Sequence, residues 1–67
     1  MDYIERMEQE LKELTEKGTK LDKAISTLEG LSADELGLMW AQLYSMNGYA
    51  DILSRRIELA KKLRKDN

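Results

Sequence analysis

The chain has 67 residues, 11 Lys+Arg against 13 Asp+Glu, a formal net charge of −2, and no Cys, His, Pro or Phe. Without Cys or His there is no disulfide framework, no thiolate nucleophile, no ordinary zinc site and no Ser-His-Asp or Cys-His arrangement. A metal could be held only by carboxylates and carbonyls.

A chain this short buries a modest core, and with disulfides and ordinary metals excluded the expected staple is another copy of itself. Zero proline and 36% charged residues favour long helices, so the expected class is all-α. The acidic, amphipathic opening Met1-Asp2-Tyr3-Ile4-Glu5-Arg6 does not suit a signal peptide, and no segment reaches the ~20 apolar residues of a membrane span. The expectation is a cytosolic protein without a membrane partner. Charge is uneven along the chain: eight acids and five bases over 1–29, three acids and no base over 30–52, and two acids against six bases over 53–67. Such a basic tail suits either a phosphate-bearing partner or the C-terminal dipole of a helix.

The first predicted helix spans about 2–29. Ile4, Met7, Leu11, Leu14, Gly18, Leu21, Ile25 and Leu28 alternate steps of three and four, an a/d seam of four heptads. Glu8–Lys12, Glu13–Lys17 and Glu16–Lys20 are spaced as i,i+4 ion pairs on its polar face. Solvated pairs of that kind make poor general acids or bases, and no P-loop or G-x-G-x-x-G occurs, so no enzyme is expected. Gly18 stands where the seam would carry Leu or Ile. It either leaves a gap for a ligand or a partner's side chain, or relieves packing against Trp40 or a tyrosine.

A turn is predicted at 30–32. Gly30 suits a left-handed residue, Ser32 and Glu35 form an S-x-x-E capping box, and Leu31 with Leu36 a hydrophobic staple. Asp34 and Glu35 then lie in the first turn of the next helix, where its dipole favours them. So short a connection makes the two helices antiparallel neighbours.

The second helix is predicted over about 33–63, with a basic tail at 64–67. Leu36, Met39, Leu43, Met46, Ala50, Leu53, Ile57 and Ala60 repeat the 3-4 seam. The helices would be on the order of 40–47 Å long. Asn47-Gly48 resembles a hairpin turn, but the register passes through it; a weak point in one helix is expected, with a three-helix arrangement as the alternative. Leu38, Ile52 and Leu59 are placed on one flank of the seam, Tyr49 and Leu63 on the opposite flank, with Trp40 widening the stripe. So much apolar surface on a small protein marks an interface. Gly37, Ala41, Ser45 and Gly48 form a strip of small residues on the back of the helix. Tyr3, Trp40, Tyr44 and Tyr49 supply flat faces, and Lys12, Arg55 and Arg56 supply charge, the chemistry that holds a nucleobase and its phosphate.

Leu38-x3-Gln42-Leu43-x2-Met46-x2-Tyr49-x3-Leu53-x-Arg55-Arg56-Ile57-Glu58-Leu59, with Tyr3-Ile4-Glu5-Arg6-Met7 and Glu10-Leu11-Lys12-Glu13-Leu14, resembles a group of small phage-encoded helical hairpins. That group resembles the hairpin domain of cyclic-nucleotide sponges that oppose bacterial CBASS and Thoeris immunity. The resemblance implies a homo-oligomer, commonly a hexamer, with pockets between protomers that hold a cyclic oligonucleotide without cleaving it. It implies that Lys12 meets phosphate, that Tyr3 stacks on a base at a spacing to Lys12 shorter than the group's, and that Arg55, with Arg56 beside it, contributes from the second helix. No cofactor is implied. The alternatives are a structural or interaction protein that docks a protein through the second helix, and a DNA or RNA binder using Arg55 to Lys65. The acidic first helix argues against the last.

Overall fold

The computed structural model of the protein describes residues 2–65, as two α-helices: α1, Tyr3–Thr27, and α2, Ala33–Lys65. Asp2 starts α1: its carboxylate accepts from the Glu5 N–H at 2.8 Å, and its carbonyl accepts from the Arg6 N–H at 3.0 Å. A D-x-x-E sequence at this point has the form of an N-cap signal. The last helical bond of α1 runs from the Leu28 N–H to the Ala24 carbonyl at 2.9 Å, and Leu28 is already extended (φ −72°, ψ 138°). The helix therefore stops two residues before the expected end, and Leu28 falls outside the seam, 54% exposed.

Gly30 takes the left-handed conformation (φ 77°) in the connector, beyond the helix end. Ser32 and Glu35 form the expected reciprocal cap. The Glu35 N–H donates to Ser32 Oγ at 3.1 Å, and the Ser32 hydroxyl donates to Glu35 Oε1 at 2.9 Å. From there α2 runs 33 residues without a break through Asn47-Gly48, so the three-helix alternative does not hold. Continuous seam contacts on both sides override the local turn preference. Arg64 and Lys65 belong to α2 and not to a separate tail; Asp66 and Asn67 lie outside the described residues.

The helices pack antiparallel along the two seams into a rod of 55 × 17 × 13 Å. Ile4, Met7, Leu43, Leu53 and Ile57 are buried, all at seam positions, with Leu53 at 0% exposure. Ile4, Met7, Leu53 and Ile57 form one cluster, flanked by Leu11 and Ala60, at the end away from the turn. Toward the turn the seam residues Leu21, Ile25, Leu36 and Met39 are only half-buried. Each fully buried aliphatic side chain contributes about 1.5–3 kcal/mol, so the hairpin is held mainly at one end.

Ion pairing departs from the expected i,i+4 ladder. Among the described residues, Glu8 pairs across the hairpin with Lys61 at 2.9 Å, Asp2 with Arg64 at 2.9 Å, and Asp51 with Arg55 at 3.3 Å. The antiparallel packing brings the acidic start of α1 to the basic end of α2, and those bases complement its C-terminal dipole. All three pairs are solvent-accessible and contribute little each.

One expectation of sidedness is corrected. Leu59 and Leu63 line the same hollow, together with Tyr3, Arg56 and Ala60. Four residues advance an α-helix by about 40° beyond a full turn, so Leu38, Ile52 and Leu59 share a flank with Tyr49 and Leu63 instead of opposing it. Trp40 lies on the other side of the seam, beside Gly18 and Thr15.

Candidate ligand-binding site

Tyr3, the first residue of α1, faces Arg56 of α2 because the antiparallel seam sets Ile4 against the Leu53–Ile57 cluster. Arg56 Nη2 donates to the Tyr3 hydroxyl at 2.6 Å, and the guanidinium carbon lies 6.0 Å from the ring centroid. That hydrogen bond takes one of five guanidinium N–H donors. The pair is a shared wall between two surface hollows. One, of about 360 Å³, is lined by Tyr3, Arg6, Met7, Glu10 and Arg56; the other, of about 210 Å³, by Tyr3, Arg56, Leu59, Ala60 and Leu63.

Seven residues along each helix, the pattern repeats with Tyr49 and Glu10. The Tyr49 hydroxyl donates to the Glu10 carboxylate. That bond, with some desolvation and the Glu10 charge, pushes the Tyr49 phenol above its ordinary value. Glu10 is thereby turned onto Tyr49, while Arg6 and Arg56 give the first hollow two forked cations. An arginine pair beside an aromatic face and an apolar strip suits a planar, multiply anionic molecule.

The four expected site residues divide. Tyr3 and Arg56 are brought together. Lys12 is nine residues on from Tyr3, which turns it about 180° around α1, and it stands exposed on the other side of the rod. Arg55 points about 100° away from Arg56 and is held by Asp51 on the outer surface. Within one chain these two cannot share a pocket with Tyr3. Arg6 is the residue the sequence reading left without a role. Its i+3 spacing from Tyr3 is the signal that places it on the same face.

A larger hollow, about 440 Å³, opens on the opposite face around Gly18, between Thr15, Thr19, Asp22, Trp40 and Asn47. A Cβ on Gly18 would sit 3.9 Å from Leu43 Cδ1, an ordinary contact, so close packing does not require glycine there. The gap is real and Trp40 borders it without filling it.

No cluster of three or more metal-ligating side chains occurs among the described residues, and no helix there is long and apolar enough to cross a membrane. Comparison with curated proteins and with solved structures gives no match. The family model described as Sequestin matches residues 1–59, which include all of α1, α2 as far as Leu59, and the Tyr3–Arg56 pair. The chain belongs to the Sequestin family.

Proposed function

We propose that this protein is a phage anti-defence protein that binds cyclic oligonucleotide immune signals, cyclic di- or trinucleotides or cyclic ADP-ribose isomers, and withholds them intact from the host. The observation that carries the reading is the Tyr3–Arg56 contact across the hairpin, with Arg6 beside it: a base-sized flat face next to unspent guanidinium donors. The family name fits a protein that sequesters a ligand. Sequestration uses no catalytic group, in keeping with a chain that has no His or Cys. It acts in the bacterial cytosol as a homo-oligomer, which the resemblance favours as a hexamer. Lys12 and Arg55 then reach the ligand from neighbouring copies.

Calorimetry against a panel of cyclic di- and trinucleotides and cyclic ADP-ribose isomers tests this. At least one should bind and be recovered unchanged after heat denaturation. Arg56→Ala should weaken that binding by roughly 10- to 100-fold, the range for a charge-assisted hydrogen bond. Lys12→Glu and Arg55→Ala should weaken it as well. Silence across the whole panel would defeat the proposal. The exposed Leu38, Ile52, Leu59 and Leu63 favour a second reading, a hairpin that docks a protein partner through α2. One stable, nucleotide-independent protein partner in a pull-down would support that alternative.

A further inference from the structure

The exposed flank of α2 carries a second complete heptad ladder, separate from the seam that packs on α1. Leu38, Gln42, Ser45, Tyr49, Ile52, Arg56, Leu59 and Leu63 follow one another at steps of 4-3-4-3-4-3-4. All eight are exposed, Leu38 at 73% and Ile52, Leu59 and Leu63 near 58%. We propose that this ladder is the contact face for a second copy of the chain, with α2 lying antiparallel on its counterpart about a two-fold axis between residues 50 and 51.

The occupant follows from the ladder's own symmetry. In an antiparallel pair each residue faces one whose number makes a constant sum with its own. At a sum of 101 every rung meets a rung. Leu38 faces the partner's Leu63, Gln42 the partner's Leu59, Ser45 the partner's Arg56, and Tyr49 the partner's Ile52. The single long cation of the ladder thus falls opposite its smallest residue. Sliding one heptad either way uncovers large apolar residues: a sum of 94 strands Leu59 and Leu63, and a sum of 108 strands Leu38. Only one register covers all five, which is what an isologous two-fold contact requires.

Area agrees with this. Five large side chains at these exposures offer on the order of 100 Å² each, so complete coverage in two copies would bury up to about 1,000 Å² from these residues alone, the threshold for a specific interface.

The contact also completes the candidate site. Arg56, Leu59 and Leu63 belong both to the ladder and to the hollow beside Tyr3. The second copy would roof that hollow with its Gln42 and Ser45 neighbourhood. The Ser45 hydroxyl donates to its own Ala41 carbonyl at 3.0 Å, and its oxygen can still accept one N–H from the Arg56 it faces, which leaves further guanidinium donors open. They remain for an anion.

Native mass spectrometry and spin-label distances test the arrangement, without any nucleotide, so their outcome is independent of ligand binding. The assembly should contain an even number of chains. Ile52→Asp and Leu59→Asp should release smaller species, while Tyr44→Asp, at an exposed position off the ladder, should leave the assembly intact. Because a charged variant could unfold, labels on single-cysteine variants give a second readout. Asp51→Cys lies next to the axis, and Lys62→Cys lies about 23 residues from its counterpart along α2, roughly 35 Å at 1.5 Å per residue. A short distance for the first and a long one for the second is expected. A monomer, an odd-numbered assembly, or equal short distances at both positions (a parallel contact) would overturn the proposal.

Discussion

Gly18→Ala should stabilise the hairpin, although Gly18 is buried in the seam where a glycine would ordinarily be taken as indispensable. Its backbone is ordinary helix, since Gly30 is the glycine with positive φ. The added Cβ would lie 3.9 Å from Leu43 Cδ1, which is contact without overlap. Replacing glycine by alanine in a helix interior contributes about 1 kcal/mol. The new methyl, half-sheltered against Leu43, adds up to about 0.8 kcal/mol. For a chain of this size a gain of 1 kcal/mol raises Tm by roughly 4–8 °C. The assay is a circular-dichroism melt of both proteins at matched concentrations, because any self-association makes Tm depend on concentration. Gly30→Ala serves as the opposite control. Its Cβ would meet nothing within 4 Å, but φ of 77° makes alanine strained by about 1–2 kcal/mol, so Tm should fall. If Gly18→Ala lowered Tm as well, the gap at Gly18 would be closed in the working protein and the packing argument would be wrong.

Leu53→Ala should cost about 2–5 kcal/mol, since Leu53 is the one fully buried large side chain among the described residues, and denaturant titration will measure it. Asp2 gives an acid-side signature. Its carboxyl is held below the ordinary value, first by the Glu5 N–H and then by Arg64, so the stability it contributes is present above the unfolded Asp pKa near ~3.9 and is lost as pH falls through the lower folded value. Asp2→Asn keeps a capping oxygen but cannot titrate, so its Tm should fall less steeply in acid; superimposable curves would refute this. Tyr49 acts in the other direction. Its raised phenol pKa contributes stability below the unfolded value near ~10 that is lost as pH rises through the folded one, and Tyr49→Phe should remove that alkaline dependence from the melts.

Both seams, the capping box at Ser32 and the left-handed Gly30 were legible in the sequence because each is a local pattern with a single periodicity. The sidedness errors came from reading spacing without the 100° turn per residue that an α-helix imposes on it. Lys12 reads as close to Tyr3 along the chain, yet the helix turns it to the opposite face. Tyr49 and Ile52 read as different stripes, yet they are consecutive rungs of one ladder. The i,i+4 pairs on α1 lost Glu8 to Lys61, which only the antiparallel packing brings near. Arg6 shares a face with Tyr3 by its i+3 spacing, but its place beside Arg56 depends on the antiparallel packing that makes both line one hollow.

The tight end of the hairpin lies far from its turn, so most of its burial depends on contacts distant in sequence. A hairpin ordinarily closes from its turn outward, because the loop that must be ordered there is short. Here the contacts with most burial join Ile4 and Met7 to Leu53 and Ile57, about fifty residues away, while the turn-side seam is half-open. Closing so long a loop first is entropically demanding, and contacts of high sequence separation slow folding. The corollary is tolerance at the turn. A backbone cut between Glu29 and Gly30 would leave two helices still carrying the buried cluster and the Glu8–Lys61 and Asp2–Arg64 pairs, so the fold would behave as a split pair of peptides that reassembles without its loop.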